Sequence, residues 1–249
     1  MSGITSFFDI FTSSYFQAML VAAKTTVLLA IVALVLGFLW ANILAILELS
    51  RWRIVRWPVT FFVSIIRSLP ELIVIFLIGL GLTYLFLEFE DVLPVSVVDA
   101  YFNMLDAYGE YLFFGLGAFA LSLIYASYAS QTIRGALLAV PKDQWNSGAV
   151  LGLSKPATFF YIVMPQMWRH AFPGLSNQWL VLLKDTALVS LIGVHELMKE
   201  TDYIYSATAD GFTWYAMAAL IYLVISLVSQ KLQDLLYNRI TKYDQEPAK

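Results

Sequence analysis

Long runs of apolar residues without a charge, separated by short charged clusters, set the pattern of this chain. Thr25 to Leu47 is 23 residues with no charge; as a helix this is about 35 Å, more than the ~30 Å hydrocarbon core of a bilayer. Tyr111–Ile133 and Gly211–Gln230 are likewise uncharged and predict two further spans. The former carries Gly115, Gly117 and serines of the kind that pack membrane helices. Two more apolar stretches hold charges inside them: Arg67 and Glu71 in about 58–86, Lys184 and Asp185 in about 177–195. The pattern predicts an all-α integral membrane protein with five transmembrane helices, over about 20–48, 58–86, 111–133, 177–195 and 211–231.

Composition excludes the main alternatives. The chain is 60% hydrophobic and 13% charged, where a soluble domain has about 45–50% and 25%. A net charge of −3 without a basic block gives no footprint for nucleic acid or for a polybasic surface protein. With no cysteine and only His170 and His195, thiol nucleophiles, disulfides and Cys/His zinc sites fall away, and no metal ligand set stands at the required spacing. No G-x-S-x-G elbow occurs, so an intramembrane hydrolase is unsupported.

Lys and Arg collect after the first, third and fifth spans: Arg51, Arg53 and Arg56, then Arg134, Lys142, Lys155 and Arg169, then Lys231, Arg239, Lys242 and Lys249. The segment 86–110 has six acids and no base, and the segment after the fourth span has Lys199 alone among four acids. The positive-inside rule then puts the N-terminus out and the C-terminus in. Residues 1–19 mix Phe7, Phe8, Phe11, Tyr15 and Phe16 with Ser, Thr and Asp9, which reads as a periplasmic-side interfacial segment. Asp9, and no Lys or Arg before Lys24, argue against a cleaved signal peptide. The transmembrane domain is 20–235 and the cytoplasmic tail 236–249.

Charges inside spans require a reason, since each costs about 2.5–3.5 kcal/mol at a helix centre on insertion scales. In Arg67-Ser68-Leu69-Pro70-Glu71 the proline lacks a backbone donor, so the helix begins or kinks there and leaves carbonyls free beside a carboxylate. Either Glu71 faces a cavity, as at the discontinuous helices of transporters, or it pairs with Arg67 four residues back along one helix. Lys184 and Asp185 are adjacent and point about 100° apart on a helix, so each needs its own partner. Asp185 is the better candidate for a cavity. Leu188 and Val189, one turn beyond it, and Ser68 beside the kink are candidates to shape the same cavity, with helix packing as the alternative for all of them.

Between spans, the segment 134–176 is too long for an ordinary connection and too apolar for a solvated linker, holding Trp145, Leu151, Phe159, Phe160 and Trp168. It is expected to fold, with Pro141, Pro156, Pro165 and Pro173 dividing it into short helices over about 142–153 and 157–164. A short amphipathic helix of this kind suits a groove in a partner protein. No G-x-x-x-x-G-K-[ST] phosphate loop occurs, so energy from a nucleotide must come through another chain.

Gly148-Ala149-Val150-Leu151-Gly152-Leu153-Ser154, followed by Ile162-Val163-Met164-Pro165-Gln166 and by Ala171-Phe172-Pro173-Gly174-Leu175-Ser176-Asn177-Gln178, resembles the coupling-loop signature of bacterial ABC importer permeases. In that pattern a Glu-Ala-Ala triplet precedes a Gly and an Ile-x-x-Pro follows it. Gly152, Ile162 and Pro165 match, whereas the triplet falls on Asn146-Ser147-Gly148, with Asn146 in place of the acid. The resemblance extends through residues 66–71, 128–136 and 183–192 and covers about 15–235. Glu71 directly after Pro70 and the run Lys184-Asp185-Thr186-Ala187-Leu188-Val189-Ser190 make the chain most similar to polar amino-acid permeases, and among them to the Q-type subunit of arginine importers.

The resemblance implies a type I ABC importer permease with a five-helix core in the bacterial inner membrane, moving a basic amino acid by alternating access. It implies a second permease, a different chain of M type, two ATP-binding subunits and a periplasmic amino-acid-binding protein as partners. No cofactor is expected in this chain; ATP and Mg belong to the ATPase subunits. Asn146, Ser147, Gly148, Gly152, Leu153 and Pro165 are the implied ATPase contact. Glu71 and Asp185 as paired acids favour a guanidinium, whose planar fork suits carboxylates. Histidine, lysine, ornithine or an opine are alternative cargoes; a secondary transporter powered by an ion gradient and a membrane scaffold are alternative classes.

Overall fold

The computed structural model describes residues 11–89 and 92–241, without the side chains of Leu82 and Phe86. The helices are α1 (Ser14–Glu48), α2 (Arg53–Ser68), α3 (Glu71–Gly79), α4 (Gly81–Glu88), α5 (Val95–Ala139) and α6 (Lys142–Val150). Then come α7 (Lys155–Thr158), a π turn (Phe159–Val163), α8 (Met164–Asp185), a 3-10 stretch (Thr186–Ile192), α9 (Leu197–Thr208) and α10 (Gly211–Ile240). Among the described residues α1, α5 and α10 are each long and apolar enough to cross a membrane, and the broken pair α2 and α3 reaches that measure only when taken together.

The sequence expectation and the structure part company in four places. The stretch 58–86 breaks at Pro70 as anticipated, with Pro70 extended (φ −56°, ψ 135°), but a second, unanticipated break follows at Leu80. The stretch 177–195 is the end of α8 joined to the 3-10 stretch, not a continuous α-helix. α1 begins at Ser14, so the part of the expected 1–19 segment from there on is already the first long helix; residues 1–10 lie outside the description. Pro173 does not end a helix as anticipated, but sits inside α8. A proline there costs about 3 kcal/mol. Buried Ala171 and Leu175, and a close approach of Gly174 to Thr132, supply compensating packing.

The described residues fall into two compact units. One lies within Met1–Val35, Leu69–Ser122 and Leu182–Ile225, the other within Leu36–Ser68, Leu123–Val181 and Ser226–Lys249. The first is centred on Met19, Leu197, Ile204, Trp214, Met217 and Ile221. In the second, Phe38 stacks on Trp168 and Phe172 on Tyr237, with ring centroids 5.8 and 5.9 Å apart. Its polar contacts are few and pointed. The Gln178 amide donates to the Thr132 hydroxyl at 2.8 Å. The buried Glu48 carboxylate accepts from the Gln131 amide and faces the Arg134 guanidinium at 3.8 Å.

Large apolar side chains remain exposed along the long helices, among them Leu28, Val35 and Leu39 on α1 and Leu223, Val224 and Leu227 on α10. In water such faces would not persist. They suit helices whose surroundings are lipid or another apolar helix.

Candidate functional site

Glu71 stands where the broken helix restarts. Pro70 precedes it as the helix-capping residue, and its carbonyl accepts from the backbone N–H groups of Ile73 and Val74 at 3.0 and 3.3 Å. A carboxylate in the first turn is favoured by the amide dipoles of that end. The alternative pairing with Arg67 along one helix does not arise, because Arg67 belongs to the last turn of α2. Its guanidinium lies over the Tyr128 ring, 5.3 Å from the centroid, and the Tyr128 hydroxyl donates to the Arg67 carbonyl at 3.4 Å.

Asp185 ends α8 and opens the 3-10 stretch. It is half-buried, as is Glu71, and the charges of Glu71 and Lys184 both act on it. The two acids singled out in the sequence are thus brought within electrostatic reach of each other in one unit. Among the described residues neither carboxylate takes a hydrogen bond or an ion-pair contact from a side chain. Two like charges held near each other without donors form a site of negative potential, suited to a cation with several donors.

With 3.0 residues per turn, side chains three apart eclipse. Thr186, Val189 and Ile192 therefore form one row, all buried, while Asp185, Leu188 and Leu191 form another that is half-buried to exposed. The Thr186 and Ser190 hydroxyls tie the backbone down by donating to the carbonyls of Leu183 and Ala187, each at 2.7 Å. Gly193 ends the stretch at φ 99°, a conformation favouring glycine. Of the residues nominated from the sequence, Leu188 shares the row of Asp185. Val189 is 0% exposed and sits on Gly117 of α5, 3.4 Å from where a Cβ there would stand. Ser68 is exposed at the end of α2, in the other unit. Leu191, 56% exposed, was missed, because an α-helical spacing of 3.6 points it elsewhere.

A second missed residue is Glu196. It is 0% exposed and caps α9, its Oε1 accepting from the backbone N–H groups of Met198 and Lys199 at 2.6 and 3.1 Å. Its Oε2 accepts from the Tyr222 hydroxyl at 2.7 Å and from the Thr26 hydroxyl at 3.1 Å. The Leu197 N–H in turn donates to Thr26 Oγ1 at 3.0 Å. One carboxylate thereby ties α1, α9 and α10 together. Read only as one of the acids following an apolar span, it gave no sign of this; the isolated Thr26 and Tyr222 inside apolar runs were the available hint.

In the other unit, α6 follows Pro141 and ends on a glycine cap. The Gly152 N–H donates to the Ala149 carbonyl and the Leu153 N–H to the Gly148 carbonyl, both at 3.0 Å, with Gly152 at φ 74°. This is the paired-bond helix ending that places glycine just past the last turn. Gly148 is buried against Thr158, whose side chain occupies the space a Cβ would need. The Ser154 hydroxyl accepts from the Ala157 N–H at 3.4 Å to start α7. Trp145 stacks on Phe159 across the resulting hairpin at 6.2 Å. Pro165 lacks the donor and crowds the carbonyl of Tyr161, and the preceding turn widens to a π turn.

The hairpin presents Val150, Leu151, Phe160 and Tyr161, all exposed, as an apolar knuckle. Asn146 and Ser147 are exposed on α6, Leu153 is half-buried and Pro165 is exposed. The Asn146 amide donates to Asp143 Oδ1 at 3.4 Å, placing an acid one turn before the position where the coupling-loop pattern carries its own. Replacing Gly152 by Val would force a β-branched residue into positive φ, at about 2 kcal/mol. The expected result is a hairpin that proteases cut faster at Val150–Ser154 than in the unaltered chain, read by limited proteolysis of the purified protein.

Residues 33–242 match the family described as the binding-protein-dependent transport system inner membrane component. The chain belongs to this family. It is 50% identical over 232 residues to the arginine ABC transporter permease protein ArtQ of Haemophilus influenzae, covering 93% of this chain and 97% of that one. ArtQ of Escherichia coli K12 is 49% identical over 229 residues, 91% and 96% of the two chains. Among solved structures, that of an amino acid ABC transporter with histidines matches with a TM-score of 0.76 at 25% identity, covering 95% of this permease and all of that chain. The MetNI methionine ABC transporter in inward-facing form shares the fold, with a TM-score of 0.68 at 16% identity over 92% and 99% of the chains. The protein is therefore the permease of an ABC importer, a transport component and not an enzyme. An ion-gradient carrier and a scaffold are set aside.

Proposed function

We propose that this permease moves a basic amino acid, arginine first, across the bacterial inner membrane by alternating access. The reading is carried by one observation: half the residues, over nearly the whole chain, are shared with permeases named for arginine. The paired Glu71 and Asp185 support it from the chemistry. A guanidinium offers five donors in a planar fork, which two carboxylates without donors of their own among the described residues would receive in bidentate fashion. Asp185, Leu188 and Leu191 on one row place apolar surface beside the acid, suited to the aliphatic stem of such a cargo.

In this reading the chain spans the membrane five times with its N-terminus outside, the α2–α3 break and the α8–3-10 junction serving as discontinuous spans. It pairs with a second permease of M type and with two ATP-binding subunits, which hold ATP and Mg. A periplasmic binding protein delivers the amino acid. The exposed knuckle at Val150, Leu151, Phe160 and Tyr161, with Asn146, Ser147 and Asp143 beside it, docks into the ATPase by shape and apolar contact. Gly148, Gly152, Leu153 and Pro165 keep that knuckle in shape.

The test is ATP hydrolysis by the reconstituted importer, assembled from this permease and the products of neighbouring genes. Arginine-loaded binding protein is expected to stimulate hydrolysis and glutamate is not. Stimulation by lysine, ornithine or histidine but not arginine would move the cargo assignment to that amino acid, and hydrolysis indifferent to all of them would overturn it. In the same assay Gly152→Val is expected to retain hydrolysis while losing most arginine uptake, since a misshapen knuckle no longer transmits the ATPase stroke; uptake in proportion to hydrolysis would remove the loop from that role.

A further inference from the structure

The 3-10 stretch after Asp185 runs for seven residues, Thr186–Ile192, although such helices rarely sustain more than three or four. Close approaches to two glycines hold it. On α5, Gly117 admits Val194 and Val189, 3.3 and 3.4 Å from where a Cβ would stand. On α3, Gly79 is buried directly against Ile192: a Cβ there would lie 2.5 Å from Ile192 Cδ1, 3.1 Å from Cγ2 and 3.2 Å from Cβ. The terminal methyl can swing aside. Cβ cannot, because it moves only with the backbone, and Cγ2 moves only if the buried side chain changes its χ1 rotamer, so any side chain at 79 presses α3 and the 3-10 stretch apart by some tenths of an ångström.

Glu71 opens the same short helix that Gly79 closes, and Asp185 opens the same stretch that Ile192 closes. Each acid thus sits at one end of a hydrogen-bonded rod, and the rods touch at their other ends. We propose that Gly79 and Ile192 are positioning residues that set the separation of the Glu71 and Asp185 carboxylates, and with it the preference for a forked guanidinium over an ammonium. The inference rests on the reading of those two acids as the cation site. A guanidinium presents donors in a fixed planar fork and needs its two acceptors in register, whereas an ammonium is a point charge on a flexible stem that tolerates a shift.

The experiment is binding of radiolabelled arginine and lysine to the purified, fully assembled importer. Gly79→Ala is expected to weaken arginine binding about tenfold and lysine binding less than about threefold, as sub-ångström misplacement of a fixed fork predicts. Basal ATP hydrolysis should remain unchanged. Adding Ile192→Ala, which removes Cγ2 together with Cδ1, should return arginine binding to within about threefold of the original. Equal losses for the two cations, no loss, or no recovery in the double variant would overturn the proposal. Should Gly79→Ala fail to assemble, Ile192→Leu, which empties the same contact by removing Cγ2, must still change the arginine-to-lysine ratio, and an unchanged ratio sinks the idea. Glu71→Gln run alongside separates the two levels. If it binds arginine normally, the site itself is misassigned; if it loses arginine while Gly79→Ala keeps its ratio, only the spacing role falls.

Discussion

Glu71→Gln and Asp185→Asn are each expected to lower arginine uptake by about 100-fold, with the importer still assembled and still present in the membrane. Removing one member of a partly buried charged contact costs about 2–5 kcal/mol, and about 2.7 kcal/mol corresponds to that factor. The reason lies in what surrounds the two groups. Neither carboxylate has a donor of its own among the described residues, and the charge of Glu71 acts on Asp185. The unliganded site therefore carries unfavourable repulsion that a cation relieves. Neutralising either acid removes the repulsion and the attraction together. Assembly survives because neither side chain holds an element in place: α3 starts from the Pro70 backbone, and the 3-10 stretch is fastened by Thr186 and Ser190. Uptake is read with labelled arginine in proteoliposomes, and assembly by co-purification. Normal uptake in both variants would remove the pair from the site.

Glu196→Ala is expected to destabilise the permease by about 4 kcal/mol, lowering the thermal midpoint of the purified complex by about 10 °C. The side chain is 0% exposed and accepts from two backbone N–H groups and two hydroxyls. Truncation leaves the Met198 and Lys199 N–H groups without their cap and the Tyr222 hydroxyl without its acceptor, at about 1–3 kcal/mol for each buried group left unpaired. Thr26 loses less, because the Ala22 carbonyl stands 3.2 Å away as an alternative acceptor. Glu196→Gln keeps one oxygen for the backbone donors, and both hydroxyls can turn to accept from its amide, so its cost should be no more than half as large. Similar melting for Ala and Gln variants would show that hydrogen bonding at this position is not what ties α1, α9 and α10.

Much of the molecule is legible along the chain because its causes are local. Uninterrupted apolar runs predict α1, α5 and α10, and Pro70 predicts the break between α2 and α3, since a missing donor and a crowded ring act on the adjacent turn alone. Gly152 marks the end of α6 because only one residue needs the left-handed conformation there. The family to which the residues of 134–176 pointed is the one that matches over residues 33–242. Pro173 misled because a proline's penalty is local while its compensation, the packing of Ala171, Gly174 and Leu175, is not.

The residues after Asp185 show where local reading stops. Their composition is compatible with an α-helix, which groups Leu188 and Val189 together one turn beyond the acid. The tertiary structure winds them at three residues per turn, turning Val189 inward to Gly117 and bringing Leu191 into line with Asp185. Likewise nothing near Glu196 announces that Thr26 and Tyr222, 170 and 26 residues away, will donate to it. The apolar spans, the break at Pro70 and the presence of Glu71 and Asp185 inside apolar runs are legible along the chain, since these follow from bond geometry and transfer energies of neighbouring residues. Which face Val189 and Leu191 show, and that Glu196 is buried and satisfied, emerge with the fold, because helical winding and the burial of a carboxylate depend on contacts from glycines and hydroxyls far along the chain.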